Sequence, residues 1–230
     1  MRLLFFRHGD PDYEIDGLTD KGKREAELLA KRICAMNIDD IYVSPLGRAK
    51  ATSEYSIKEL QKEAVTCDWL REFPALFDAN EADDETRRAF PNELRIDSET
   101  GKYHKRIVWD VMPSYYGRHP ELFDVNAWRD SEFVKHTDMI EAHDHVVSEF
   151  DKLLSKYGYE RSGSIYKVRE NNEKVLAFFY HFGITSVLLS HLWGVSPLVT
   201  MQFLAMAPHL LQRLLLRNVR KESLFSGHSR

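Results

Sequence analysis

The feature that most narrows what this chain can fold into is a pair of short, wholly apolar runs, each closed by a histidine. The first, Leu3-Leu4-Phe5-Phe6, ends at Arg7-His8-Gly9; the second, Val175 to Tyr180, ends at His181-Phe182-Gly183. Short apolar runs without alternation read as strands buried on both faces, the pattern of a parallel sheet covered by helices. In such α/β folds, ligands bind beyond the carboxyl ends of the strands, where both histidines would stand.

The segments between these runs supply the helices. Thr19 reads as an N-cap with Asp20 in the first turn, and Ala26, Leu29, Ala30 and Ile33 follow at helical spacing. Ile41-Tyr42-Val43 is a second strand. Ser44-Pro45 then reads as a capping serine with proline at the first helical position, opening a helix to about Leu60 with Arg48 in its first turn. Val65 to Leu70 is a third strand, leading to Arg71-Glu72. From Phe73 to about Gly158 the alternation breaks down in a stretch rich in aromatic and charged residues, read as an inserted cap region. Near its end Met139, His143, Val146, Phe150 and Leu153 share a helical face. Ile165 to Tyr180 reads as a hairpin or two sequential strands, with a helix from about Ile184 to Leu192. The expectation is one α/β domain over residues 1–230, a three-layer sandwich with a mostly parallel central sheet and a helical insertion at about 73–158.

Composition sets outer limits. At 43% hydrophobic residues the chain can bury a large core. A net charge of -4 gives no sign of nucleic-acid binding, so an anionic ligand needs a local basic pocket. Cys34 and Cys67 lack metal-ligand spacing, which suits a reducing compartment. The apolar start is too short for a signal peptide, and no run reaches membrane-spanning length, so the expected location is cytoplasmic, with no membrane partner. His143-Asp144-His145 invites a metal reading, but residues two apart diverge on a helix; His143 is expected in the core and His145 in solvent. The segment after Pro208, residues 209–230, is atypical. It reads either as a basic amphipathic helix or as the product of a reading-frame shift near codon 208.

Placed at equivalent strand ends, Arg7, His8, Arg48 and His181 would converge on one rim and favour a dianionic phosphate. Positive surroundings would keep His8 neutral, as a nucleophilic imidazole requires. Glu72 would stand at the mouth, placed to protonate a leaving oxygen. Tyr115, Tyr116 and Arg118 of the insertion are candidates for substrate contact.

Arg7-His8-Gly9, Leu18-Thr19-Asp20-Lys21-Gly22, Ser44-Pro45-Leu46-Gly47-Arg48-Ala49 and a late histidine before glycine form a joint pattern that resembles the histidine phosphatase superfamily, also called phosphoglycerate mutase-like. The resemblance covers about residues 1–72 and 164–197. It implies a phosphohistidine mechanism: His8 attacks the phosphoryl group; Arg7, Arg48 and His181 hold its oxygens; Glu72 protonates the leaving alcohol and then activates water. It implies no metal and no cofactor, and a small phosphorylated metabolite as partner. Two departures stand out. Phe182 intervenes between His181 and Gly183, where the family more often has His-Gly. Asp10-Pro11-Asp12-Tyr13 lacks the Ser-x-x-Asn of the glycolytic mutases, which favours a phosphatase of small phosphate monoesters over a mutase. A phosphate-binding pseudoenzyme is the third reading.

Overall fold

A computed structural model describes residues 1–90, 94–170 and 172–204, and the backbone of 211–215. Its central sheet has five strands: β1 (Arg2–Arg7), β2 (Asp40–Val43), β3 (Ala64–Thr66), β4 (Val175–Tyr180) and β5 (Leu211–Leu215), in the order β5-β1-β4-β2-β3. β1, β4, β2 and β3 run parallel, and β5 adds an antiparallel edge beside β1. The two apolar runs of the sequence are thus adjacent central strands.

Their side chains divide between two faces. Leu3, Phe5, Tyr42, Leu176 and Phe178 belong to one core; Leu4, Phe6, Ile41, Val43, Ala177 and Phe179 belong to the other. The second face is covered by α1 (Asp20–Ile33) through Leu29 and Ile33, and by α2 (Gly47–Leu60) through Ile57 and Leu60. Thr19 caps α1 as expected, its hydroxyl accepting the Gly22 N–H. The first face is covered by α3 (Met139–Ser155), α4 (Phe182–Trp193) and α5 (Pro197–Phe203). The result is a three-layer α/β sandwich.

Phe150 shows how the first face is held. It projects from α3 with its ring centroid 6.2 Å from that of Phe178 on β4 and 6.2 Å from that of Trp69. It is fully buried. Truncation would leave a cavity between helix and sheet, so Phe150→Ala is expected to cost about 3–5 kcal/mol. Urea unfolding measures this directly; a loss below about 1 kcal/mol would show that α3 does not pin the sheet.

Several local expectations give way to tertiary structure. α2 begins at Gly47 with Leu46 at its N-cap, and the Ser44 hydroxyl accepts the Leu46 N–H (3.3 Å) just ahead of the helix. The third strand is only Ala64–Thr66; a short 3-10 turn, Asp68–Leu70, completes the predicted run. The hairpin joins Tyr159–Ser162 to Ile165–Val168, while β4 belongs to the central sheet. Within 73–158, α3 is a layer over the sheet, and the preceding stretch consists of short helices and a two-residue ladder of Leu76–Phe77 with Arg106–Ile107. Residues 211–215 are a sheet-edge strand, in place of the basic helix that is one expectation, because pairing with β1 satisfies backbone groups on both strands. The rest of the 209–230 segment lies outside the described residues. Among the described residues no helix is long and apolar enough to cross a membrane.

Candidate active site

Sheet register brings the functional side chains together. Arg7 of β1 lies beside Tyr180 of β4, and Phe179 lies beside Val43 of β2. The ladder then continues past the strands. The His8 N–H donates to the Tyr180 carbonyl (3.0 Å), and the Ser44 N–H donates to that of Phe179 (2.9 Å). His8, His181 and Ser44 therefore leave the sheet at one level, with the His8 and His181 rings 5.1 Å apart between centroids.

The loop that carries His8 is fixed from two sides. The Gly9 N–H donates to the Thr52 hydroxyl on α2 (3.0 Å). Gly22 of α1 crosses the same loop so closely that a Cβ there would lie 2.2 Å from the Asp10 carbonyl oxygen, a contact no larger residue can make. His8 Nδ1 sits 2.8 Å from the Gly9 carbonyl oxygen. A carbonyl only accepts, so Nδ1 carries the proton and Nε2 keeps its lone pair. Burial, reinforced by Arg48 and Arg7, pushes the His8 pKa down to about 4, against weaker opposition from the Gly9 carbonyl and Asp16. The imidazole is neutral and nucleophilic at neutral pH.

His181 is fully buried, and its Nε2 lies 2.8 Å from the Ser44 hydroxyl. Its Nδ1 has no hydrogen-bond partner. Burial first, then Arg48, His8 and Arg7, hold its pKa far below the usual imidazole range. A buried ring nitrogen without a partner is costly unless a ligand completes it, and a phosphate oxygen would do so.

Glu72 follows the 3-10 turn and reaches the start of α4. Its Oε1 accepts the N–H groups of Phe73 (2.9 Å), Gly183 (2.8 Å) and Ile184 (3.3 Å). These bonds and Arg48 favour the carboxylate, but burial outweighs them and raises the pKa. With Oε1 fully engaged, Oε2 is the oxygen left to carry and deliver a proton.

Arg48 is held by a residue the sequence did not single out. Asp16 accepts from Arg48 Nη1 (2.6 Å) and from the Gly47 N–H (2.6 Å). Its backbone, with φ of 47°, turns the carboxylate back onto the start of α2. The approach is close: a Cβ on Gly47 would lie 2.1 Å from the Asp16 carbonyl oxygen. The N-terminus of α2, the kind of helix end that suits an anion, thus gives one of its N–H groups to Asp16.

Comparison with known proteins agrees with this geometry. Residues 3–106 match the profile of the histidine phosphatase superfamily (branch 1), a span that holds Arg7, His8, Arg48 and Glu72. The part of the chain that carries these residues is similar to that superfamily. The chain is 28% identical over 151 residues to the 2,3-bisphosphoglycerate-dependent phosphoglycerate mutase of Thermoplasma acidophilum, covering 60% of this chain and 72% of that protein. It is 35% identical over 81 residues to the mitochondrial serine/threonine-protein phosphatase Pgam5 of Drosophila melanogaster; the match covers 30% of this chain and only 28% of that protein's length. Among solved structures, the alpha-ribazole phosphatase of Shigella flexneri aligns with a TM-score of 0.52 at 19% identity, covering 95% of this chain and 92% of that one. The phosphoserine phosphatase of Entamoeba histolytica aligns with a TM-score of 0.53 at 16% identity, covering 93% and 90%. At these identities the structural likeness shows a shared fold.

The insertion candidates have partners of their own. Tyr115 is fully buried and stacks on His119 with ring centroids 4.0 Å apart. Tyr116 donates its hydroxyl to the Leu198 carbonyl (3.1 Å). Arg118 pairs with Glu85 (2.8 Å) at the surface. In this structure all three are engaged in packing, hydrogen bonding or ion pairing. The insertion instead reaches the site through Trp109, which packs against Gly183 and Phe182. His143 is buried with its edge toward Trp128, and His145 is exposed, as helical spacing requires.

Two buried neutral histidines also set an acid limit on the fold. The folded-state pKa of His8 is about 4, below its ordinary value of 6.5. The unfolded chain therefore binds more protons as pH falls, and stability drops from about pH 6.5 down through pH 4. His181 shifts in the same direction. His8 alone contributes on the order of 3 kcal/mol to this loss. Thermal melts of wild type and His8→Asn from pH 7 to pH 4 check it: the wild type should lose more stability. Parallel curves would refute the burial account.

Proposed function

We propose that this protein is a phosphatase that hydrolyses a small phosphate monoester through phospho-His8. The observation that carries the proposal is the fixed tautomer of His8, with Nδ1 on the Gly9 carbonyl and Nε2 bare beside two arginines. Phosphoryl transfer asks chiefly for positioning and charge neutralisation, and this site is built for both.

In this reading Arg7, Arg48 and His181 Nδ1 take the phosphate oxygens. His8 Nε2 attacks phosphorus and forms a P–N bond as the P–O bond to the alcohol breaks. Glu72 gives its Oε2 proton to the departing oxygen. Water then attacks the phosphorus of phospho-His8, and Glu72, now ionised, accepts its proton. The P–N electron pair returns to Nε2, phosphate leaves, and Glu72 is protonated again.

The similarity to a phosphoglycerate mutase supports a second reading, in which phospho-His8 returns the group to another hydroxyl. A panel of phosphate esters separates the two. Stoichiometric release of inorganic phosphate is expected. Isomerised ester without release would replace the phosphatase reading with the mutase one, and binding without turnover would mark a pseudoenzyme.

A further inference from the structure

The leaving-group side of the site carries aromatic rings. Phe182, the residue that separates His181 from Gly183, lies with its ring centroid 5.9 Å from the Arg7 guanidinium carbon. Trp109 from the insertion meets Phe182 edge-on, at 6.2 Å between centroids. Trp109 also stands directly over the start of α4. A Cβ on Gly183 would lie 2.7 Å from Trp109 Cζ3 and 2.9 Å from Glu72 Oε1, so indole and carboxyl converge on the same point. Both rings are only partly buried. Across the site, exposed Tyr13 lies 5.5 Å from the Arg48 guanidinium carbon.

The charges argue the same way. Those acting most strongly on His8 are Arg48, Arg7 and Asp16, and Asp16 already neutralises Arg48 through a direct ion pair. A second anionic group on the substrate would meet aromatic rings beside Glu72 and lose its hydration there.

We infer that Trp109 and Phe182 form a specificity wall selecting monoesters with an uncharged, flat aromatic alcohol, held against the rings while Glu72 protonates its oxygen. Stacking favours such a ring over a hydrated polyol, and the wall penalises a carboxylated alcohol. This inference rests on the phosphatase reading.

The test compares benzyl phosphate, glycerol 1-phosphate and 3-phosphoglycerate. The first two release primary alcohols, so their difference reports recognition more than intrinsic reactivity. Benzyl phosphate should show kcat/KM about tenfold above glycerol 1-phosphate, a factor of the size one aromatic contact supplies, and 3-phosphoglycerate should be the poorest of the three. Trp109→Leu and Phe182→Leu should each lower the benzyl-to-glycerol ratio several-fold, and Trp109→Phe should restore most of it. The ratio is internal to each variant, and two separate positions guard against one that fails to fold. Hydrolysis of all three esters without a benzyl preference, or a ratio unchanged in both leucine variants, would overturn the wall alone. Hydrolysis of none of the three would overturn the phosphatase reading beneath it.

Discussion

Replacing His8 by alanine is expected to lower kcat by at least about 10,000-fold on every ester the protein hydrolyses. The size follows from its role. A group that forms the covalent intermediate cannot be replaced in part by neighbouring charges, and removal of a nucleophile leaves only what binding and electrostatics contribute. Arg7, Arg48 and His181 remain in the variant, so binding of inorganic phosphate should survive within a few-fold. The two measurements together isolate the chemistry. A fall of only about tenfold in kcat would show that His8 helps bind the phosphate and that another group attacks it.

The second large effect is expected from Glu72→Gln. Glutamine keeps the oxygen that accepts the Phe73, Gly183 and Ile184 N–H groups, so the start of α4 should hold its place. Proton transfer is lost, and kcat on an alkyl ester should fall by about 100- to 10,000-fold. The pH profile supplies the sharper evidence. Burial raises the Glu72 pKa, so the wild-type carboxyl stays protonated above the usual range, and turnover declines as rising pH ionises it. That alkaline limb should vanish in Glu72→Gln. An ester of a good leaving group, such as 4-nitrophenyl phosphate, needs little help from an acid in the first step. The variant should therefore show one burst of nitrophenol per site, followed by slow turnover. A limb that persists in the variant would assign the proton to another residue.

The framework of this fold was readable wherever local pattern and tertiary need agree. Leu3–Phe6 and Val175–Tyr180 are apolar without interruption because both faces of a central strand are covered, and that shows in sequence. Thr19 caps α1 through a bond three residues away, which a local reading can find. Ser44 marks the opposite case. Ser-Pro is a sound helix-start signal, and its hydroxyl does accept the Leu46 N–H, yet it also serves His181, a partner 137 residues distant. Long-range pairing also hid Asp16, whose ion pair with Arg48 spans 32 residues. Val65–Leu70 was read as a longer strand than the three residues that find a partner on β2. In the insertion, Tyr115, Tyr116 and Trp109 look alike as aromatic residues in a region without periodicity. Only the packed structure sends the first two inward and brings the third to Gly183.

The site therefore divides into a legible half and an illegible one. Arg7 ends β1, His8 and His181 follow strands, Arg48 lies in the first turn of α2 and Glu72 follows the 3-10 turn, positions near strand and helix ends that the family resemblance also marks. Asp16, Ser44, Thr52 and Trp109 orient them or wall them in, and no spacing rule announces residues that act through a distant partner.

The phosphohistidine account meets its most direct test in the covalent intermediate. Glu72→Gln, mixed with 4-nitrophenyl phosphate, quenched in alkali to preserve a phosphoramidate and digested, should yield one phosphate per chain, localised by mass spectrometry to His8. Phosphate on a different residue, or turnover with His8 unmodified throughout, would contradict it.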